Sequence, residues 1–123
     1  MAAAIIGVVD DDKGIRAALD DLLQSAGFRV VTFSSAKALL SSVCLPMLAC
    51  LILDLHMPGM DGLTLQRHLA DAGFRVPIIV LTALGDSEIQ ARALDQGAVA
   101  FLTKPIDSEL ILAAVTRAIT GNF

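Results

Sequence analysis

Asp10 and Asp11, Asp54, Thr82 and Lys104 stand at or just past the ends of four separate apolar runs. Gathered in one place, these groups have the chemistry of phosphoryl transfer. Three carboxylates about 5 Å apart repel by roughly 3 kcal/mol per pair at an effective dielectric near 20, so the cluster holds a proton or recruits a cation. An all-oxygen, strongly negative donor set favours Mg²⁺, or a similar hard divalent ion such as Mn²⁺, which keeps several waters and accepts phosphate oxygens as further ligands. Asp54 can then serve as an oxygen nucleophile toward phosphorus, forming an acyl phosphate. Thr82 offers a hydroxyl and Lys104 a point charge to the phosphoryl oxygens. Such a transfer depends on positioning and charge neutralisation more than on proton abstraction, which fits the lack of an evident His or Glu base.

Taken singly, most of these residues have plainer roles. The run Asp10-Asp11-Asp12 could cap a following helix and complement its dipole. Threonine is common at strand ends, and Lys104 before Pro105 could be a solvated loop lysine. Asp54 is different, because it interrupts the apolar string Leu51-Ile52-Leu53-Asp54-Leu55, where an unpaired carboxylate would be costly to bury. The conjunction at four run ends is what points to a site. The side chains of His56 and His68 lack suitably spaced partners and are read as non-ligands. Cys44 and Cys50 have neither zinc-ligand nor C-x-x-C spacing and are read as small buried hydrophobes in a reducing compartment.

The site requires elements that bring those run ends together. Ala4–Val9, Val30–Thr32, Leu48–Leu53, Ile78–Leu81 and Val99–Leu102 read as short strands with little polar alternation, as expected when helices cover both faces of a parallel sheet. Between them, Ile15, Ala18, Leu19, Leu22, Leu23 and Ala26 recur at helical spacing. Ala36, Leu39, Leu40 and Val43 repeat the pattern more briefly; Leu65 with Leu69, Ile89 with Ala93, and Ile111, Ala114, Val115 and Ala118 mark three further helices. Gly27, Gly73 and Gly97 each follow a helical stretch and precede a strand, suiting the left-handed residue that ends a helix. Gly27-Phe28-Arg29-Val30 recurs as Gly73-Phe74-Arg75-Val76, which indicates similar helix-to-strand joints; a solenoid would need at least three copies. Five βα units with right-handed crossovers give an α/β, flavodoxin-like, doubly wound five-stranded parallel sheet of order 2-1-3-4-5 with helices on both faces. Ligands of such sheets bind at the carboxyl ends of the strands where the order reverses, which sets Asp10, Asp11 and Asp54 side by side.

At 123 residues, 55% hydrophobic and only 18% charged, the chain is sized for one domain, residues 1–123, with a substantial core, and its composition excludes disorder. No apolar run approaches the ~20 residues that span a bilayer, and the N-terminus lacks the basic flank of a signal peptide, so a cytoplasmic protein without membrane contact is expected. The net charge is −4 and the Lys and Arg residues are scattered, which argues against direct nucleic-acid binding.

The strings Val8-Val9-Asp10-Asp11-Asp12, Leu53-Asp54-Leu55-His56-Met57-Pro58-Gly59-Met60-Asp61-Gly62, Leu81-Thr82-Ala83 and Phe101-Leu102-Thr103-Lys104-Pro105 resemble the receiver domains of bacterial two-component response regulators. The resemblance covers essentially the whole chain, and its motifs are specific as an ordered set. It implies that Asp54 accepts a phosphoryl group from a phosphohistidine on a sensor histidine kinase. It also implies that Asp10 and Asp11 hold Mg²⁺ with Asp54, one of them through water, and that the main-chain carbonyl of His56 is a further ligand. Thr82 would move to hydrogen-bond the phosphoryl group, Lys104 would pair with it, Ala83 would leave access, and a cis bond would precede Pro105. Phe101 matches the family's aromatic switch position; with Phe in place of Tyr, a switch would work by packing alone.

The phrasing around Asp54 and Lys104, with Gly85-Asp86 after Thr82, is most similar to the nitrogen-fixation type of transcriptional regulators. Those carry a helix-turn-helix DNA-binding domain after the receiver, whereas this chain stops at Thr120-Gly121-Asn122-Phe123, so DNA would be reached only through an output domain outside it. The resemblance places the output surface on the fourth helix, fifth strand and fifth helix, with Ile89, Arg92, Val99, Phe101, Leu110, Ala113 and Arg117 as candidates. The last helix is apolar nearly all round, more than a one-sided core contact requires, so phosphorylation is expected to promote homodimerisation or partner docking there. Three alternatives compete. A haloacid-dehalogenase-like phosphatase would need a second acid two residues after Asp54, where His56 stands. A flavin carrier of the same fold would want phosphate-binding donors where Asp10-Asp11-Asp12 lies. A receiver acting by interaction alone would not need the intact set of five residues.

Overall fold

The computed structural model describes residues 3–83 and 87–121. Strands and helices alternate along the chain as β1 (Ile5–Val9), α1 (Lys13–Ser25), β2 (Arg29–Phe33), α2 (Ala36–Leu40), β3 (Cys50–Leu53), α3 (Gly62–Asp71), β4 (Ile78–Thr82), α4 (Ser87–Asp95), β5 (Ala100–Thr103) and α5 (Ser108–Thr120). The strands form one parallel sheet in the order β2-β1-β3-β4-β5. The order reverses between β1 and β3, so β1 lies between β2 and β3, and the carboxyl ends of β1 and β3 are where sheets of this kind bind ligands.

Period-2 geometry sorts each strand into two cores. On one side Ile5 and Val9 of β1, Leu51 and Leu53 of β3, and Ile78 and Val80 of β4 pack with Leu39 of α2, Leu65 and Leu69 of α3, and Ala93 of α4. On the other side Ile6 and Val8, Cys50 and Ile52, and Ile79 and Leu81 pack with Leu19 and Leu23 of α1 and Ile111, Val115 and Ala118 of α5. Both faces of the central strands are therefore dry, which is why their sequences show no polar alternation. The edge strands β2 and β5 are only partly buried.

The three glycine joints share one geometry. Gly27, Gly73 and Gly97 have φ of +94°, +84° and +104°. In each, the following amide (Phe28, Phe74, Ala98) donates to a carbonyl in the last turn of the helix (Leu23, Leu69, Ala93) at 2.9–3.1 Å. This is the doubly bonded left-handed helix stop, and it explains the repeated Gly-Phe-Arg-Val string as a joint.

The structure shortens two of the expected elements by more than one residue. Val43 does not extend α2: the helix ends at Leu40, and Val43 is 88% exposed. Here the Ser42 hydroxyl accepts the Cys44 amide in a local turn, and Pro46 then opens a single 3-10 turn at Leu45–Met47. β3 begins at Cys50 instead of Leu48, because Leu48 and Ala49 follow that turn, and Leu48 is spent on the core. Gly85 and Asp86, and the terminal Asn122 and Phe123, lie outside the described residues. Among the described residues no helix is long and apolar enough to cross a membrane.

Candidate functional site

Asp10, Asp54 and Lys104 each sit one position beyond a strand and Thr82 at the last position of one, where a backbone bond pins them; Asp11 follows Asp10. The Asp10 amide donates to the Phe33 carbonyl of β2 at 3.1 Å, the Asp54 amide to the Val9 carbonyl of β1 at 3.0 Å, and the Lys104 amide to the Thr82 carbonyl of β4 at 2.8 Å. The ladders thus continue one residue past the sheet, and the side chains inherit the sheet's rigidity. Beyond Lys104 the peptide bond to Pro105 is cis.

Lys104 is the hub. Its Nζ lies 2.9 Å from Asp10 Oδ2 and 3.3 Å from Asp54 Oδ2, joining the ends of β1, β3 and β5. The second oxygens are occupied as well: Asp10 Oδ1 accepts the Asp12 amide at 2.9 Å, and Asp54 Oδ1 accepts the His56 amide at 3.1 Å. Asp10 and Asp54 are buried, 2% and 5% exposed, whereas Asp11 faces solvent. Carboxylate oxygens of all three lie within 4.8 Å of one another. Burial raises the Asp10 pKa, the Asp12 amide and Lys104 draw it back, Asp54 adds to the rise, and the net shift is upward. Burial alone would lower the Lys104 pKa, but the Asp10 hydrogen bond and the charges of Asp10 and Asp54 outweigh it and raise it.

Thr82 ends β4 with a fully buried hydroxyl, and its Oγ1 has no hydrogen-bond partner among the described residues. A buried hydroxyl left unmatched costs on the order of 1–3 kcal/mol, and such orphans are found where a ligand completes them. The oxygen-only acidic cluster, the adjacent ammonium and the orphan hydroxyl together fit a divalent cation with a phosphoryl group.

The loop after Asp54 is shaped by two glycines. Gly59 has a φ of +81°. Gly62 opens α3 against the loop itself, where a Cβ would lie 2.7 Å from the Asp54 carbonyl oxygen and from Leu55 Cα. Asp61 caps α3 by accepting the Thr64 amide at 2.8 Å, as Asp12 caps α1 through the Gly14 and Ile15 amides. Of the aspartate run, Asp12 is therefore the cap, and Asp10 and Asp11 are left for the crevice.

The other predicted residues are placed around this centre. The His56 side chain is exposed and its backbone holds Asp54. Phe101 in β5 is half-buried against the core beneath α2, α3 and α4. His68 is on the exposed side of α3, Cys50 is buried with its thiol pushed up to about 12 by desolvation, and Cys44 is half-buried and unpaired. Two contacts were not evident from the sequence. Arg16 Nη1 donates to the Asp10 carbonyl at 2.8 Å, and the buried Gln66 of α3 donates to the Ala93 carbonyl of α4 at 3.1 Å. A basic residue in the first turn of a helix and an amide on its apolar face were the available signals.

Residues 6–116 match the family model of the response regulator receiver domain. The chain is 43% identical over 116 residues to the response regulator protein TmoT of Ectopseudomonas mendocina, covering 94% of this chain and 53% of TmoT. It is 37% identical over 114 residues to the transcriptional regulatory protein FixJ of Bradyrhizobium diazoefficiens, covering 93% of this chain and 56% of FixJ. Among solved structures, the response regulator StyR superposes with a TM-score of 0.89 at 40% identity, covering 98% of this chain and 61% of that one. The chain thus spans about half the length of the curated relatives it matches. Its strand order, site geometry and relatives agree, and the chain belongs to the response regulator receiver domain family.

Proposed function

We propose that the chain is a phosphorylation-activated switch in which Asp54 accepts a phosphoryl group from a phosphohistidine on a sensor histidine kinase. The observation that carries this reading is the shared Lys104: one ammonium bridges Asp10 and Asp54 beside Asp11, at the point where the strand order reverses. An Asp54 oxygen forms the new O–P bond as the N–P bond of the donor breaks, and the imidazole nitrogen keeps the electron pair. The His56 amide orients the Asp54 carboxylate for this attack, and Lys104 passes from the carboxylate pair to the phosphoryl oxygens. Mg²⁺ or Mn²⁺ held by Asp10, Asp11, Asp54 and the His56 carbonyl would supply neutralising charge and align the phosphoryl oxygens. The chain is a phosphoacceptor that promotes its own phosphorylation and dephosphorylation, not a turnover enzyme on other substrates.

The phosphoryl group carries close to two negative charges where the free carboxylate carried one, and it satisfies the orphan Thr82 hydroxyl, drawing Thr82 toward it and letting Phe101 turn inward. In this reading the altered α4-β5-α5 face forms a homodimer or docks a partner, and DNA is reached only through an output domain beyond residues 1–123. The name of FixJ, a transcriptional regulatory protein, supports a role in the control of transcription, and a cytoplasmic location belongs to the same proposal.

Intact-protein mass spectrometry after incubation with acetyl phosphate, with and without Mg²⁺, tests the chemistry. Wild type should gain about 80 Da, one phosphoryl group, only with Mg²⁺, and Asp54→Ala should gain nothing. An adduct that persists in Asp54→Ala would move the acceptor elsewhere.

A further inference from the structure

Arg16 stands in the first turn of α1, where a cation opposes the positive end of the helix dipole, and its helix-starting turn already carries Lys13 and no acidic residue. A residue that breaks a local rule is expected to contribute elsewhere. Its guanidinium reaches back over the helix start and donates to the Asp10 carbonyl at 2.8 Å, while its own amide makes the first helical bond, to the Asp12 carbonyl, at 3.1 Å. The Asp10 carbonyl lies past the last β1 pairing, where the sheet no longer supplies a donor.

The planarity of the peptide unit gives this contact its consequence. The Asp10 carbonyl and the Asp11 amide belong to one rigid plane, so holding the carbonyl fixes the direction in which the chain enters Asp11. Asp10 is otherwise secured by its amide to Phe33, by Asp12 and by Lys104. Asp11 is exposed, a carboxylate oxygen of it lies within 4.8 Å of those of the other two, and the plane it shares with Asp10 sets the direction from which its main chain approaches them.

We infer that Arg16 is a positioning residue for the divalent-cation site: by clamping the Asp10 carbonyl it presents the Asp11 carboxylate to the ion held with Asp10 and Asp54. This rests on the metal-binding part of the reading above. Outer partners that orient ligands change metal affinity by about 10-fold or more when removed. Simple charge arithmetic predicts the opposite sign, since deleting a nearby positive charge should strengthen cation binding.

The test is isothermal titration of the unphosphorylated chain with MgCl₂, comparing wild type with Arg16→Ala, Arg16→Gln and Lys13→Ala. Both Arg16 substitutions use good helix formers, and circular dichroism confirms folding. The expected result is Mg²⁺ binding about 10-fold weaker in both Arg16 variants. Lys13→Ala, which removes the same charge from the exposed start of α1, should bind as tightly as wild type or tighter. In metal-free protein, the Asp10 carbonyl ¹³C and Asp11 amide ¹⁵N resonances should shift in the Arg16 variants and not in Lys13→Ala. Folded Arg16 variants that bind Mg²⁺ as tightly as wild type would overturn the positioning role alone. A wild-type chain that takes up no Mg²⁺ would overturn the metal reading, and the role of Arg16 with it.

Discussion

At the scale of single residues, the site is a balance of burial against charge, and Lys104 sets it. Asp10 and Asp54 are buried carboxylates with one ammonium between them. The raised Lys104 pKa means that its ion pairs stabilise the fold fully below the ordinary lysine value of 10.5, and that this is lost as pH rises through the folded value. Cys50 acts in the same direction from a lower starting pH. Its unfolded thiol ionises from about 9 while the folded thiol waits until about 12, so folding stability falls between those values. Urea denaturation across pH 8 to about 12 should therefore show stability that falls steadily with pH. Lys104→Met should keep the Cys50-dependent fall, which runs from about 9 to about 12, and lose only the additional steepening that begins at 10.5. Identical curves for the two proteins would show that the ammonium is not coupled to folding. The polar identities at the site were legible in the sequence because Asp54 breaks an apolar run; the orphan state of Thr82 was not, since only a packed neighbourhood can leave a hydroxyl without a partner.

At the scale of elements, the loop between β3 and α3 depends on close backbone approach. A Cβ on Gly62 would sit 2.7 Å from the Asp54 carbonyl oxygen and Leu55 Cα, which are main-chain atoms that cannot swing aside. A Cβ on Gly7 of β1 would meet Leu48 Cδ1 at 2.8 Å and Leu51 Cδ1 at 3.0 Å, which are side-chain tips that can. Overpacking costs about 1–3 kcal/mol, so Gly62→Ala should fall at or above the upper end and Gly7→Ala near the lower. Urea midpoints measure the difference, and Gly62→Ala alone should also slow Asp54 phosphorylation by acetyl phosphate, because the displaced backbone is that of the acceptor. Equal midpoints and equal rates would remove the special role of Gly62. The helices and strands themselves were readable from period and from Gly27, Gly73 and Gly97, whose joints are local hydrogen-bonded motifs. The end of α2 was not, because Val43 continues the apolar spacing while the competing Ser42 turn and Pro46 stop the helix.

At the scale of the whole molecule, the half-buried edge strand β5 and the outer side of α5 leave apolar surface uncovered. Leu110 is 54% exposed, and with Val99, Ala100, Leu102, Ala113, Ala114 and Arg117 it lines a groove of about 320 Å³. If phosphorylation drives pairing through this face, sedimentation velocity should show a monomer-to-dimer shift on adding beryllofluoride with Mg²⁺. Leu110→Asp should remain monomeric while still gaining the phosphoryl mass at Asp54. An unchanged wild-type monomer in both conditions would sink the homodimer. The sequence alone determined the alternation of five strands with helices, the two-sided burial of the sheet and the residue types at the strand ends, because these follow from local periodicity and turn chemistry. The tertiary structure decided which of three consecutive aspartates caps a helix and which face the crevice, that Lys104 spans Asp10 and Asp54, and that Arg16 holds the Asp10 carbonyl. The Lys104 contacts join separate elements, up to 94 positions apart in the Lys104–Asp10 pair, and only the strand order and register bring such partners to within 3.3 Å; the Asp12 cap and the Arg16 bond are close in sequence, but the folded turn after β1 is what selects their partners.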